Sequence, residues 1–258
     1  MTCNPERVRC LFGTDGVRDV ANRGDMTPEM ALRLGRSYIL FLTERGVPRP
    51  RIAVGRDTRR SGQMLEAALA AGMTSAGAEV FLLGVIPTPG VSFAVKKTGM
   101  HGGAVISASH NPAEYNGIKF LDGEGYKLSD EMEAAIEEYM GDNLTDDWRP
   151  TGASVGEMRQ TPERTGEYGE WLASLWDREL PFPVRGAMDC AHGAASFVAP
   201  SLFEKLGGRW TVVGNEPDGL NINEGVGVMK MSHICGLVQE KGLPVGIAYD
   251  RDADRVLL

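Results

Sequence analysis

Apolar and polar positions along this chain follow two alternating rhythms. Short apolar runs at Arg51–Gly55, Ala78–Leu83 and Gly103–Ile106 are bounded by turn residues, which predicts buried strands. Between them apolar residues recur at helical spacing: Met64, Leu65, Ala68, Leu69 and Gly72 share one face of a helix that opens at the polar loop Arg56–Gly62. A helix from Thr27 to Glu44 is predicted by its ends. Thr27 offers a capping hydroxyl, Pro28 suits the first helical position, Glu29 faces the positive dipole end, and Gly46 stops it. Thr88–Lys97 reads as a helix with an early proline, Ile118–Leu121 as a strand, and Ser129 caps an acidic helix running through Met140. Leu11–Asp19, with two glycines and an aspartate, reads as a loop.

Between Gly141 and Arg164 the pattern lapses into Gly, Asp, Asn, Thr and Pro, as an interdomain connection would. It then restarts with a helix at Glu167–Leu175, a strand at Val184–Cys190, a helix at Phe197–Leu206 ended by Gly207-Gly208, and a strand at Trp210–Gly214. A helix at Ser232–Lys241 and a strand at Val245–Tyr249 complete it. Strands alternating with helices predict mostly parallel sheets with right-handed crossovers. The expectation is two consecutive three-layer α/β/α domains, 1–150 and 160–258. Val256-Leu257-Leu258 reads as the start of a strand, so the second domain is expected to be truncated and the chain a fragment.

Composition narrows the class. The 258 residues are 42% hydrophobic and 24% charged, as in a soluble globular protein. A formal charge of −8 argues against nucleic acid or an anionic membrane as the main partner. Cys3, Cys10, Cys190 and Cys235 are scattered without a C-x-x-C pair, which disfavours a disulfide framework or a zinc site. Met1–Cys10 has no apolar core of a secretory signal, and no apolar run has transmembrane length, so a reducing cytoplasm is expected.

The chemistry concentrates in two loops. Ser107-Ala108-Ser109-His110-Asn111-Pro112 follows the Gly103–Ile106 strand, at the carboxyl end where open α/β sheets bind ligands. Ser109 there is either a nucleophile that carries a phosphoryl group or part of a turn in which Ser109 and Asn111 bond the local backbone. A Ser-His hydrolase is disfavoured, because adjacent residues rarely orient as nucleophile and base and no G-x-S-x-G elbow is present. Asp250, Asp252 and Asp254 follow the Val245–Tyr249 strand, and either gather a hard cation such as Mg²⁺ or form a solvated acidic turn. Lys119 is a candidate acid, base or phosphate clamp, while Arg18, Arg56 and Arg59 sit in loops where a guanidinium can hold phosphate bidentately. His101, His192 and His233 show no ligand spacing.

Taken in order, several segments resemble the α-D-phosphohexomutase family, its glucosamine branch most closely. They are Phe12–Arg18, Val54–Arg59, Ile106–Pro112 with Asn116–Lys119, Asp189–Ala194, Glu216–Asn223 and Asp250–Arg255. The resemblance implies a phosphoserine at Ser109 and a Mg²⁺ ion held by its phosphate with Asp250, Asp252 and Asp254. It implies interconversion of glucosamine 6-phosphate and glucosamine 1-phosphate through a sugar 1,6-bisphosphate, feeding amino-sugar nucleotide and cell-wall synthesis. His110 and Lys119 would handle protons, with Arg18, Arg255, Lys119 and Asn111 around the phosphate or sugar. A homodimer is suggested by the resemblance alone.

Departures limit the carry-over. Arg251 stands where the family loop has glycine; were the backbone left-handed there, arginine would cost ~1 kcal/mol. It also brings a cation beside the metal, to weaken it or to contact phosphate. Asp19 replaces a glycine after Arg18 and is placed to pair with it. The family's third and fourth domains, which read the sugar and its distal phosphate, have no counterpart here, so little mutase turnover is expected from this polypeptide alone. Phosphomannomutase or phosphoglucomutase is the alternative within the family. A non-catalytic sugar-phosphate-binding short form and a metal-dependent phosphohydrolase are the alternatives outside it.

Overall fold

A computed structural model describes residues 11–141, 148–176 and 184–258. Cys3, Cys10 and the rest of the first ten residues, together with part of the expected connection, lie outside the described residues.

The first unit is built on a six-stranded sheet. Its strands are β1 (Val17–Val20), β2 (Arg51–Arg56), β3 (Glu79–Val85), β4 (Gly102–Ile106), β5 (Tyr115–Leu121) and β6 (Met158–Gln160), in the spatial order β1-β5-β4-β2-β3-β6. The β4–β2–β3–β6 run is parallel, whereas β1 and β4 pair antiparallel with β5. Two expectations change here. Part of the Leu11–Asp19 loop is a strand: Gly16, at φ 82°, brings the backbone against the Ile118 carbonyl, where a Cβ would lie 2.4 Å away, and β5 supplies the ladder for β1. The stretch read as a connection also carries the edge strand β6, on β3.

Helices α1 (Pro28–Glu44), α2 (Arg60–Ser75) and α4 (Asp130–Glu138) cover one face of this sheet, and α3 (Thr88–Thr98) covers the other. The predicted caps form: Thr27 accepts from the Met30 amide and Ser129 from the Met132 amide. Glycines let α1 and α2 cross closely, since a Cβ on Gly72 would lie 2.0 Å from the Leu32 carbonyl oxygen. The core between sheet and helices includes Leu34, Tyr38, Ile52, Val54, Leu65, Leu69 and Phe120, with Tyr38 stacked on Phe120.

The second unit is a four-stranded sheet in the order β10-β9-β7-β8. Its strands are β7 (Arg185–Asp189), β8 (Arg209–Val213), β9 (Gly246–Tyr249) and β10 (Val256–Leu257), parallel except for the β9–β10 pair. Helices α6 (Ala199–Lys205) and α7 (Met231–Lys241) pack on opposite faces, giving a second three-layer arrangement. Helix α5 (Glu163–Ser174) joins the units, stacking Trp171 on Phe93 of α3 with centroids 4.7 Å apart while packing on α6. The fold is thus α/β with mostly parallel sheets, as the alternation predicts. None of the described helices is long and apolar enough to cross a membrane.

Candidate active site

After β4 the chain turns sharply, and Ser109 takes a left-handed backbone (φ 44°) that costs an L-residue ~1–2 kcal/mol. Its surroundings hold it there. The Ser107 hydroxyl accepts from the Ser109 amide (3.1 Å) and donates to Asp57 (2.8 Å), which sits just past the end of β2. The Arg59 side chain is entirely buried. Its Nε donates to Asp57 (2.9 Å), and its two terminal nitrogens donate to the carbonyls of Ser109 (3.0 Å), Asn111 (2.9 Å), Tyr115 (3.0 Å) and Pro112. Arg59 is therefore no phosphate claw: its donors are spent on building the serine loop. Arg56 likewise pairs with Glu66 at 3.2 Å.

From the second unit, β9 delivers Asp250, Asp252 and Asp254, whose carboxylate oxygens can lie within 4.8 Å of one another. Asp252 crosses to the first unit: one oxygen accepts from the Thr88 hydroxyl (2.7 Å) and from Lys119 Nζ (3.4 Å). Its other oxygen, Oδ1, is buried with no hydrogen-bond partner. Burial, together with the charges of Asp252 and Asp254, pushes the Asp250 carboxyl up to about 8. Burial pushes Asp252 the same way, but the Lys119 charge and the Thr88 hydrogen bond outweigh it and hold Asp252 below the usual carboxylate range. Neighbouring carboxylates driven apart in this way form a site short of positive charge. An orphaned buried oxygen and an all-carboxylate donor set fit a hard divalent cation.

Arg251 does not take the strained backbone that a replaced glycine would suggest; the left-handed residue of this loop is Ala253 (φ 52°). Its side chain turns away from solvent and donates to the Ser109 carbonyl at 3.0 Å. Burial and the nearby Arg59 charge lower its pKa to about 10, so it is still charged at neutral pH.

A cleft of about 630 Å³ opens between these loops, lined by Thr14, Asp15, Arg18, Ser109, His110, Asp254 and Arg255 among others. Lys119, Asp250 and Asp252 are buried beside it, with Lys119 3.9 Å from Asp15 and 3.4 Å from Asp252. Asn111 is not part of the lining; its carbonyl is taken up by Arg59. Arg18 is held by Asp15, and not by Asp19, whose carboxylate caps the neighbouring turn through the Val20 and Asp25 amides (2.7 and 3.0 Å). Sequence reasoning missed Asp15, Thr88 and Asp57. Asp15 stood inside a recognised motif, and Thr88 followed a strand whose carboxyl end faces the cleft. Cys190 is buried, where desolvation with Asp189 alongside pushes its thiol up to about 12, and it takes no part.

A family model described as phosphoglucomutase/phosphomannomutase, alpha/beta/alpha domain I, matches residues 9–146, more than half of the chain. The chain belongs to this family. Among its phosphohexomutase relatives, a phosphoglucosamine mutase of Geobacillus kaustophilus (strain HTA426) is 48% identical over 247 residues, 95% of this chain and 54% of the relative. A phosphoglucosamine mutase of Anaeromyxobacter dehalogenans (strain 2CP-C) is 44% identical, covering 97% of this chain and 56% of the relative. The crystal structure of a phosphoglucomutase/phosphomannomutase family protein from Burkholderia thailandensis superposes with a TM-score of 0.78 at 25% identity, over 95% of this chain and 53% of that one. The chain thus spans about half the length of the curated relatives it matches.

Proposed function

We propose that this chain forms the phosphoserine and metal-loop half of a phosphoglucosamine mutase, which interconverts glucosamine 6-phosphate and glucosamine 1-phosphate through a sugar 1,6-bisphosphate. One observation carries the reading. The loop holding Ser109 and the loop holding three carboxylates come from different sheets, yet meet at one cleft with Arg18, Arg255 and Lys119. Phosphoryl transfer asks mainly for such positioning and charge neutralisation.

In the loading step, Ser109 Oγ bonds to a phosphorus of the bisphosphate as the bond from that phosphorus to the sugar oxygen breaks. The serine proton leaves and the sugar oxygen takes one up. In the reverse sense the phosphoserine gives its phosphoryl group to a hydroxyl of a sugar monophosphate. Lys119, between Asp15 and Asp252, is placed to move the proton or clamp the phosphoryl oxygens, with His110 a second proton handler at the exposed rim. Arg18 and Arg255 line the cleft where a phosphate would lie, whereas Asn111 serves through its backbone carbonyl, which helps Arg59 hold the serine loop. Asp250, Asp252 and Asp254, with an oxygen on Ser109, would hold Mg²⁺, which supplies positive charge against the transferring group.

The glucosamine substrate is supported by the names of the relatives, and phosphomannomutase or phosphoglucomutase by the name of the matched domain. A cytoplasmic location is supported by the free thiols of Cys190 and Cys235. The test is intact mass after incubation with Mg²⁺ and a hexose 1,6-bisphosphate. One added phosphate, lost in Ser109→Ala, is expected; no addition to folded protein would refute the reading. A metal-dependent phosphohydrolase would instead lose activity on Asp250→Asn and keep it on Ser109→Ala.

A further inference from the structure

Arg251 is a cation set between two carboxylates of the candidate metal loop, and its side chain leaves that loop. Its guanidinium reaches a carbonyl 142 residues away in the chain, on the other unit, and is 5% exposed. That carbonyl belongs to Ser109, the residue whose left-handed backbone aims the candidate nucleophile. Two guanidinium groups converge on this one oxygen, Arg59 from within the first unit and Arg251 from the second, each at 3.0 Å. A buried, charge-assisted hydrogen bond is among the stronger single restraints available. The two differ in what they report. Arg59 fixes the serine loop to its own sheet; Arg251 fixes it to the carboxylates. The Arg251 carbonyl is itself tied down, accepting from the Ala194 amide at 2.7 Å, so the side chain extends from an anchored base.

Resting on the mutase reading above, we propose that Arg251 is a positioning residue that holds Ser109 in register with the carboxylate loop across the boundary between the two units. It touches neither sugar nor phosphate in this role. It acts through the Ser109 backbone, and through it the order of the Asp250–Asp254 loop is felt at Ser109. Coupling of this kind is reciprocal: what orders one loop must order the other.

Three variants of the full chain test this: Arg251→Met, which keeps the length and loses the donors, Arg251→Gly, and Arg251→Lys, which can keep a single donor to the carbonyl. Hydrogen exchange over residues 107–112 is measured with and without Mg²⁺, together with the rate of phosphate uptake from hexose 1,6-bisphosphate and the melting temperature. In the parent chain, Mg²⁺ is expected to raise protection at 107–112. In the Met and Gly variants that response is lost, uptake slows tenfold or more, and protection of the α1–α2 core stays at its parent level; Lys recovers most of both. Unchanged uptake and an unchanged Mg²⁺ response in Arg251→Met would overturn the proposal, as would loss of protection throughout the chain, which would make Arg251 merely structural. If the parent takes up no phosphate at all, the mutase reading fails, and the exchange data still decide the positioning role.

Discussion

Arg59 is the residue on which the serine loop depends, and replacing it with lysine isolates what the guanidinium does. Arg59 makes five side-chain hydrogen bonds, one to Asp57 and four to the carbonyls of Ser109, Asn111, Pro112 and Tyr115. Lysine keeps the charge but carries three donors, so at least two of these five buried hydrogen bonds are lost, even though the Ser109 carbonyl keeps Arg251 and the Pro112 carbonyl keeps the Tyr115 amide as partners. At about 1.5–3 kcal/mol for each lost hydrogen bond from a charged group, Arg59→Lys should cost about 3–6 kcal/mol, a large part of the roughly 5–15 kcal/mol that holds a domain folded. With a urea slope of about 2–3 kcal/mol per molar, the midpoint should fall by about 1 M or more. Arg59→Met goes further, because it strands the buried Asp57 carboxylate. Burial already pushes Asp57 up, with Arg59 as the main opposing charge, so its removal leaves the upward push without that restraint. A carboxyl whose folded pKa is raised binds its proton more tightly in the folded state. The stability it contributes is present at acid pH and lost as pH rises through that pKa. Arg59→Met should therefore lose stability more steeply than the parent as pH rises above the ordinary carboxylate range, and Asp57→Asn combined with it should remove that slope. A midpoint for Arg59→Lys within about 0.2 M of the parent would refute the reasoning, since two or more buried, charge-assisted hydrogen bonds would have been lost at no cost.

Asp250, raised to about 8, must lose its proton when a metal binds, so Mg²⁺ affinity should climb with pH and level off above about 8. Calorimetry in buffers of different ionisation enthalpy should show proton release at pH 7, and a flat affinity from pH 6 to 9 would contradict it. Without metal the same shift makes the chain lose stability as pH rises toward 8, which urea melts at pH 5 and 8 would detect. Gly72→Ala should lower the melting temperature by several degrees in spite of alanine's better helix propensity, because its Cβ would meet the Leu32 carbonyl at 2.0 Å; an unchanged melt would refute the close crossing.

How much of this was legible in the sequence depends on where each signal resides. Helix ends are local, so Thr27-Pro28 and Ser129 announce α1 and α4 correctly. Strands β1 and β6 are not local. Val17–Val20 follows glycines that read as a turn, and Met158-Arg159-Gln160 is exposed and polar-looking; each becomes a strand because β5 or β3 offers it a ladder. The position of Ser109 at a strand's carboxyl end was legible, whereas the role of Arg59 was not. A loop arginine reads as a phosphate ligand until the fold wraps four carbonyls around it. Arg251 and Asp19 failed for a related reason. Both were judged by their sequence neighbours, and both send their side chains to partners chosen by the tertiary structure.

The balance of charge around the cleft bears on why one site would need two ligands. Five cations, Arg18, Arg59, Lys119, Arg251 and Arg255, face five carboxylates, Asp15, Asp57, Asp250, Asp252 and Asp254. Much of that charge is already paired internally: Arg18 with Asp15, Arg59 with Asp57, Lys119 with Asp252. A phosphate on Ser109 would add roughly two negative charges at neutral pH beside carboxylates that already crowd Asp250 into holding a proton. A divalent cation alone would add two positive charges beside five cations. Together their charges offset each other, apart from the proton that Asp250 gives up. Metal and phosphate should therefore bind as a pair, each weakly without the other, and the phosphoserine form should take up Mg²⁺ more tightly than the Ser109→Ala variant; equal Mg²⁺ affinities in the two, measured by calorimetry at one pH, would refute the argument.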